Sequence, residues 1–289
     1  MSPPSCWGVF RERTHSSGRE SDDTEILRLT GKMLEARGFD VSVKSHEELL
    51  DSRDAPPPSL FVMCEQLPSL RWLQACEATG PRVVNRPLAI LNTYRERTLL
   101  RWKAAGVAFP RSRVVPTGRS APKDLARGLR ASSYPVWVKR ADVHYLEAGD
   151  VTRASTPEAV EAALAGLAGR GISHAVLQTH VDGDLLKFYG IGSGARPGDT
   201  RSPFAPWFRY FYPREHEVHG YPFDPRALAD HARRAATALG LEVFGGDAIV
   251  TPRGPVLLID LNAWPSFALY RDEAAAEVAS YLEDRFTSG

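Results

Sequence analysis

The spacing of hydrophobic positions changes several times along the chain, and each change marks an element. A short apolar run, Cys6 to Phe10, gives way to a polar loop from Arg11 to Ser21. Ile26, Leu29, Met33 and Leu34 then recur three or four residues apart, as on a helix buried along one side, and Gly38 supplies its stop. Val41-Ser-Val43 alternates as a strand does. After a proline-rich loop at 54–59, Leu60 to Cys64 reads as a buried strand, Leu67 to Ala78 as a helix and Val83-Val84 as a short strand. Strands alternating with helices predict a small parallel α/β domain over residues 1–85.

The middle region, residues 86–174, opens with a helical pattern at Tyr94–Ala105, stopped by Gly106. Strands are expected at Arg113–Val115 and in Tyr134-Pro-Val-Trp-Val-Lys139, and helices at Lys123–Arg130 and Pro157–Ala168, the last with Pro in its first turn. The last region, 175–289, predicts strands at Ala175–Val181 and Leu185–Ile191 around an Asp182-Gly183 turn. A Gly-, Pro-, Arg- and aromatic-rich span, Ser193 to Phe223, follows as a long functional loop holding one strand at most. A helix from Arg226 to Leu239, a hairpin of Val243–Val250 and Val256–Asn262, and a helix from Glu273 to Phe286 complete the series.

At 289 residues the chain has room for one large domain or two to three small ones. Its net charge of +1 supplies no global field for a nucleic acid, so no nucleic-acid partner is expected. No apolar run approaches the roughly 18 residues of a membrane span, and the N-terminus lacks the order of a signal peptide. Three cysteines, Cys6, Cys64 and Cys76, lack metal-ligand spacing and suit a reducing, cytoplasmic setting. Walker-type, dinucleotide and serine-hydrolase signatures are absent from the sequence.

Candidate chemistry concentrates in the hairpin. A turn at Pro252-Arg253-Gly254 places Asp247 opposite Asp260, within one residue, and alternation puts Asp260 and Asn262 on one side of their strand. Two converging carboxylates repel each other, and a cation removes that penalty. Magnesium, held by a couple of carboxylates with waters and phosphates completing its shell, suits such a set. A polar strand edge with solvated carboxylates has the same spacing. Lys139 and Lys187 sit on apolar strands where a buried ammonium needs an anion, although either also suits a strand edge. Val176-Leu-Gln-Thr-His-Val-Asp-Gly-Asp184 runs an apolar strand into a polar turn, as a cleft edge or a plain hairpin does. Arg201, Arg209, Arg214 and His216, among aromatic residues, mark either a site for a small anionic substrate or a solvated basic loop.

In this order the pieces resemble the ATP-grasp superfamily, from about Asn85 to the end, with residues 1–84 resembling the smaller α/β domain that often precedes it. The resemblance implies two α+β subdomains clamping ATP, with magnesium, or manganese in its stead. Lys139 would touch the phosphates. Gln178, Thr179, His180 and Val181 would frame the adenine, and Asp182 or Asp184 would reach the ribose. Asp247, Asp260 and Asn262 would hold the metal, and Asp247, Asp260 and Arg95 would serve catalysis. Lys187 and His144 would lie near the nucleotide, and Arg209 and Arg214 near the substrate. Arg95 stands where many members have lysine, and the loop Arg140 to Gly149 is poorer in small residues than the usual phosphate loop. The Asp260-Leu-Asn262 form with Lys187-Phe-Tyr leans toward the inositol-phosphate-kinase-like branch, and the overall layout toward carboxylate–amine ligases. A ligase acting through an acyl phosphate is the leading expectation, followed by a small-molecule kinase and a nucleotide-binding protein without turnover.

Overall fold

A computed structural model of the protein describes residues 3–12, 20–118, 134–143, 147–192 and 207–288. The expected helix from Lys123 to Arg130, His144 and Arg201 lie outside the described residues. Three four-stranded sheets organise the described residues.

The first sheet is parallel, in the order β2-β1-β3-β4, from β1 (Ser5–Val9), β2 (Asp40–Lys44), β3 (Ser59–Val62) and β4 (Arg82–Val84). Helices α1 (Glu20–Glu35), α2 (His46–Leu50) and α3 (Leu67–Glu77) connect its strands. The short α2 was not expected from periodicity. It is fixed by a capping box, in which Ser45 Oγ accepts from the Glu48 amide at 3.2 Å and Glu48 accepts from the Ser45 amide at 2.7 Å.

The second sheet is antiparallel, in the order β5-β8-β6-β7, built from β5 (Ser112–Pro116), β6 (Val136–Arg140), β7 (Val151–Ala154) and β8 (His174–Thr179). Strand β7 escaped the sequence reading because Val151-Thr-Arg-Ala is a short edge strand with little alternation. Helix α6 (Pro157–Gly169), capped by Thr156, covers one side and packs Val160, Leu164 and Leu167 onto Val115, Val136, Val138 and Leu177. Trp137, Lys139 and Gln178 alternate onto the other side.

The third sheet runs β10-β9-β11-β12, from β9 (Asp184–Ile191), β10 (Trp207–Phe211), β11 (Val243–Val250) and β12 (Val256–Ala263). Helices α4 (Pro87–Leu91), α5 (Arg95–Ala104) and α7 (Pro225–Leu239) lie on the side of Leu186, Phe188 and Phe244. Helix α8 (Arg271–Thr287) and α1 cover one end of the opposite side, over Tyr189, Ile191, Trp207 and Val243. The other end of that side carries Lys187, Asp247 and Asp260.

The first and third sheets share two continuous apolar cores, whereas the second has one of its own among the described residues. Asn85 joins the former pair: its fully buried amide donates to the Val243 carbonyl at 2.7 Å and accepts from the Glu242 and Val243 amides at 2.7 and 2.9 Å. Gly245 and Gly246 let β11 approach its neighbours. A Cβ on Gly246 would lie 2.3 Å from the Asp260 carbonyl oxygen, and one on Gly245 would lie 2.7 Å from the Pro265 ring.

Candidate active site

The side of the second sheet that α6 leaves uncovered and the acidic end of the third carry the two walls of the candidate site. On the first wall, Lys139 is 9% exposed and donates from Nζ to Gln178 Oε1 at 2.8 Å. Burial pushes its ammonium down to about 8. Asp260 opposes that shift, Arg95 adds to it, and Asp247 opposes it more weakly. These influences across the gap bring the two walls into one electrostatic unit.

On the second wall, Asp247 pairs in register with Asp260 on one flank and Lys187 on the other. The hairpin register is therefore the expected one. A bulge between Asp247 and Ala248 follows the pair. Lys187 Nζ lies 2.9 Å from Asp247 Oδ1. Burial raises the Asp247 carboxyl above its ordinary value; Lys187 opposes the rise and Asp260 reinforces it. Asp247 still keeps 27% of its side chain exposed and is accessible to a ligand. Gly245 pairs with Asn262, which puts that amide on the same side as both carboxylates.

These donors suit magnesium. All are hard oxygens, and the two carboxylates stand in direct register, where the Asp260 charge adds to the rise of the Asp247 carboxyl. Among the described residues no three or more His, Cys, Asp or Glu side chains gather at a point. Two carboxylates and an amide leave part of an octahedral shell to waters and phosphate oxygens, as magnesium–nucleotide sites commonly do.

The segment from Gln178 to Asp184 divides into several tasks. Thr179 and His180 donate their amides to the Arg111 and Pro135 carbonyls at 2.9 and 3.1 Å, tying three strand ends together. Trp137 Nε1 donates to His180 Nδ1 at 3.1 Å, and His180 Nε2 lies 3.2 Å from Asp182, whose side chain is 93% exposed. Val181 is half-buried at the cleft edge. Asp184 does something other than the expected ribose contact. Its carboxylate is wholly buried and accepts from the amides of His219, Gly220 and Tyr221 at 2.7, 2.8 and 3.0 Å and pairs with the His219 ring at 3.1 Å. Burial alone would raise its carboxyl, but these donors hold it below the ordinary value.

Arg95 also departs from expectation. It is 8% exposed, and its Nη1 donates to the Arg140 and Val143 carbonyls at 3.1 and 2.9 Å. Burial lowers its guanidinium, and the Asp260 charge opposes that shift most strongly. Arg209 lies over the Trp207 ring at 5.1 Å and pairs with Glu273, while Arg214 is exposed in the following loop. The two arginines thus stand in different surroundings.

The sequence reading passed over Trp137, although strict alternation from Lys139 places it on the same side. It also passed over Arg11, which donates from Nη2 to the Trp264 carbonyl at 2.8 Å and so holds the segment leaving β12. An arginine in a polar loop carries no sequence signal for such a contact. Trp264 and Phe267 in that segment adopt left-handed backbone angles, φ 39° and 52°, with both side chains fully buried.

A scan against family models finds no match, and neither does a sequence search of curated proteins. Solved structures do match over nearly the whole chain. One is a RimK domain protein of ATP-grasp type from Sphaerobacter thermophilus, 17% identical, covering 96% of this chain and 99% of that one at a TM-score of 0.68. A D-alanine–D-alanine ligase from Bacillus anthracis, complexed with ATP, is 10% identical, with coverage of 98% and 97% and a TM-score of 0.67. A D-cycloserine synthetase is 18% identical, with coverage of 98% and 100% and a TM-score of 0.69. Identities this low establish architecture, and on that ground the chain has the ATP-grasp fold.

Proposed function

We propose that the protein is an ADP-forming ligase that binds ATP with magnesium and joins a carboxylate to an amine. The observation that carries this reading is the meeting of two charged walls in an ATP-grasp fold: Lys139 with Gln178 on one side, Lys187 with Asp247 and Asp260 on the other. The neighbours support it, since two of those described are by name a ligase and a synthetase.

In this reading the adenine lies along Gln178 to Val181 and the phosphates extend toward Lys139 and Lys187. Asp247, Asp260 and Asn262 hold magnesium, which when bound neutralises phosphate charge. A substrate carboxylate oxygen attacks the γ-phosphorus and ADP leaves. The amine nitrogen then attacks the acyl phosphate carbon and inorganic phosphate leaves. Such chemistry asks the protein for position and charge neutralisation more than for a nucleophile. Lys139 and Lys187 supply cations on opposite walls, and the apolar surroundings of Lys139 strengthen its attraction for phosphate. The acceptor is a small anionic molecule, with Arg209 and Arg214 as candidates to meet it.

Calorimetry with ATP, with and without magnesium, tests the binding half of the proposal. Equal affinity in both conditions, or no binding, would remove the metal-dependent site. A screen of carboxylate and amine pairs that detects ADP and an amide product tests the reaction. A phosphorylated product in place of an amide would establish the kinase.

A further inference from the structure

An arginine at the first position of α5 ordinarily keeps its guanidinium free for solvent or a ligand. Arg95 does not. One nitrogen, Nη1, is committed to two backbone carbonyls, those of Arg140 and Val143. The neighbouring amide, Glu96 N–H, donates to the Ala141 carbonyl at 3.2 Å. The start of α5 thus grips three of four consecutive carbonyls in the segment that leaves Lys139.

That segment is fastened on its other side as well. Arg140 pairs through Nε and Nη2 with Asp142 at 2.8 and 3.0 Å, and through Nη1 with the wholly buried Asp150 at 3.2 Å. Arg170 reaches Asp150 at 2.8 Å and Glu147 at 2.6 Å from the end of α6. The Arg140 amide donates to the Asp150 carbonyl at 2.8 Å. These contacts all lie within the second-sheet unit. Arg95 and Glu96 come from α5, which packs on α7 of the other unit. Their contacts therefore cross between the units, within electrostatic reach of Asp260.

We propose that Arg95 is a positioning residue: by holding the Arg140 and Val143 carbonyls it sets where the Lys139 strand ends relative to the Asp260 wall. This rests on the ligase reading for its catalytic consequence, though not for the contact itself. The geometry explains why arginine is needed. Lysine carries the charge but ends about one bond short of Nη1, so it falls short of the two carbonyls that Arg95 holds.

Two variants, Arg95→Lys and Arg95→Met, separate this from a phosphate-gripping cation. The first measurement is amide hydrogen exchange of the ligand-free protein. Both variants are expected to exchange about tenfold faster at Arg140, Ala141 and Asp150, where the latch limits local opening, with β11 and β12 still protected. The second is steady-state kinetics once the acceptor is known. Both variants should lose kcat more than they raise the KM for ATP. Unchanged exchange in both, or an Arg95→Lys protein with wild-type exchange and kcat, would overturn the proposal. So would loss of protection throughout β11 and β12, which would make Arg95 a general support of the fold. The exchange result stands whether or not the wild-type protein binds ATP, so failure of the ligase reading and failure of the latch are told apart.

Discussion

Replacing Lys139 with methionine should stabilise the ligand-free protein while abolishing its nucleotide site. The ammonium falls from 10.5 to about 8 in the folded state, chiefly through burial. At about 1.4 kcal/mol per unit, keeping it charged at neutral pH costs the folded state roughly 3 kcal/mol. Methionine fills nearly the same volume without the charge, but leaves Gln178 Oε1 without its donor, a loss of about 1–2 kcal/mol. The balance favours Lys139→Met by about 1–2 kcal/mol, a rise of a few degrees in Tm for a chain of this size. The pH dependence carries the sharper test. Between about pH 8 and 10.5 the folded wild-type protein binds fewer protons here than the unfolded chain, so its stability rises with pH. The advantage of Lys139→Met should therefore be full below pH 8, pass through zero between pH 8 and 10.5, and reverse above that, where only the lost Gln178 contact remains. Thermal unfolding followed by circular dichroism across that range reads it directly, and magnesium–ATP should raise the Tm of the wild type alone. A variant less stable than wild type at pH 7, with a gap that pH does not change, would refute the reasoning.

Three further outcomes are expected. Asp260→Asn should lower turnover far more than ATP affinity, with partial rescue at high magnesium in a coupled ADP assay, because it removes a ligand charge and leaves the adenine contacts intact. Gly246→Ala drives a methyl into the Asp260 carbonyl, so it should cost about 1–3 kcal/mol in denaturant unfolding and weaken magnesium–ATP binding, whereas a surface change such as Lys103→Ala should do neither. Asp184→Ala should cost about 2–5 kcal/mol in the same unfolding assay, because it strands three amides. The wild-type contribution of Asp184, whose carboxyl is held below 3.8, should persist at neutral pH and fade only as acid takes the protein below about pH 4.

The hairpin from Val243 to Ala263 was legible because three signals agree there: alternation along both strands, a Pro-Arg-Gly turn of fixed length, and acids at matching distances from it. Lys139 was legible because a lysine ending an apolar strand contradicts its surroundings. What escaped depends on contacts between segments far apart in sequence. Nothing around Asp184 tells that amides 35 to 37 residues later will surround it. The side chain of Arg95 shows its charge in the sequence, but its carbonyl partners lie 45 and 48 residues away and are chosen by the path of the backbone. Asn85 reads as an ordinary turn residue until β11 arrives beside it.

The separate core of the second sheet has a thermodynamic consequence. Val136, Val138 and Leu177 pack with Leu164 of α6 and with each other, while the other two sheets share their apolar cores. Heating the ligand-free chain should therefore melt it in two cooperative steps, the smaller belonging to residues 112–179. A nucleotide touching Lys139 on one unit and Asp260 on the other has affinity only for the chain in which both are intact. Its binding energy is added to whichever unit would open first. At saturation the two transitions should merge, so that a single calorimetric peak reports occupancy of the cleft without any assay of turnover.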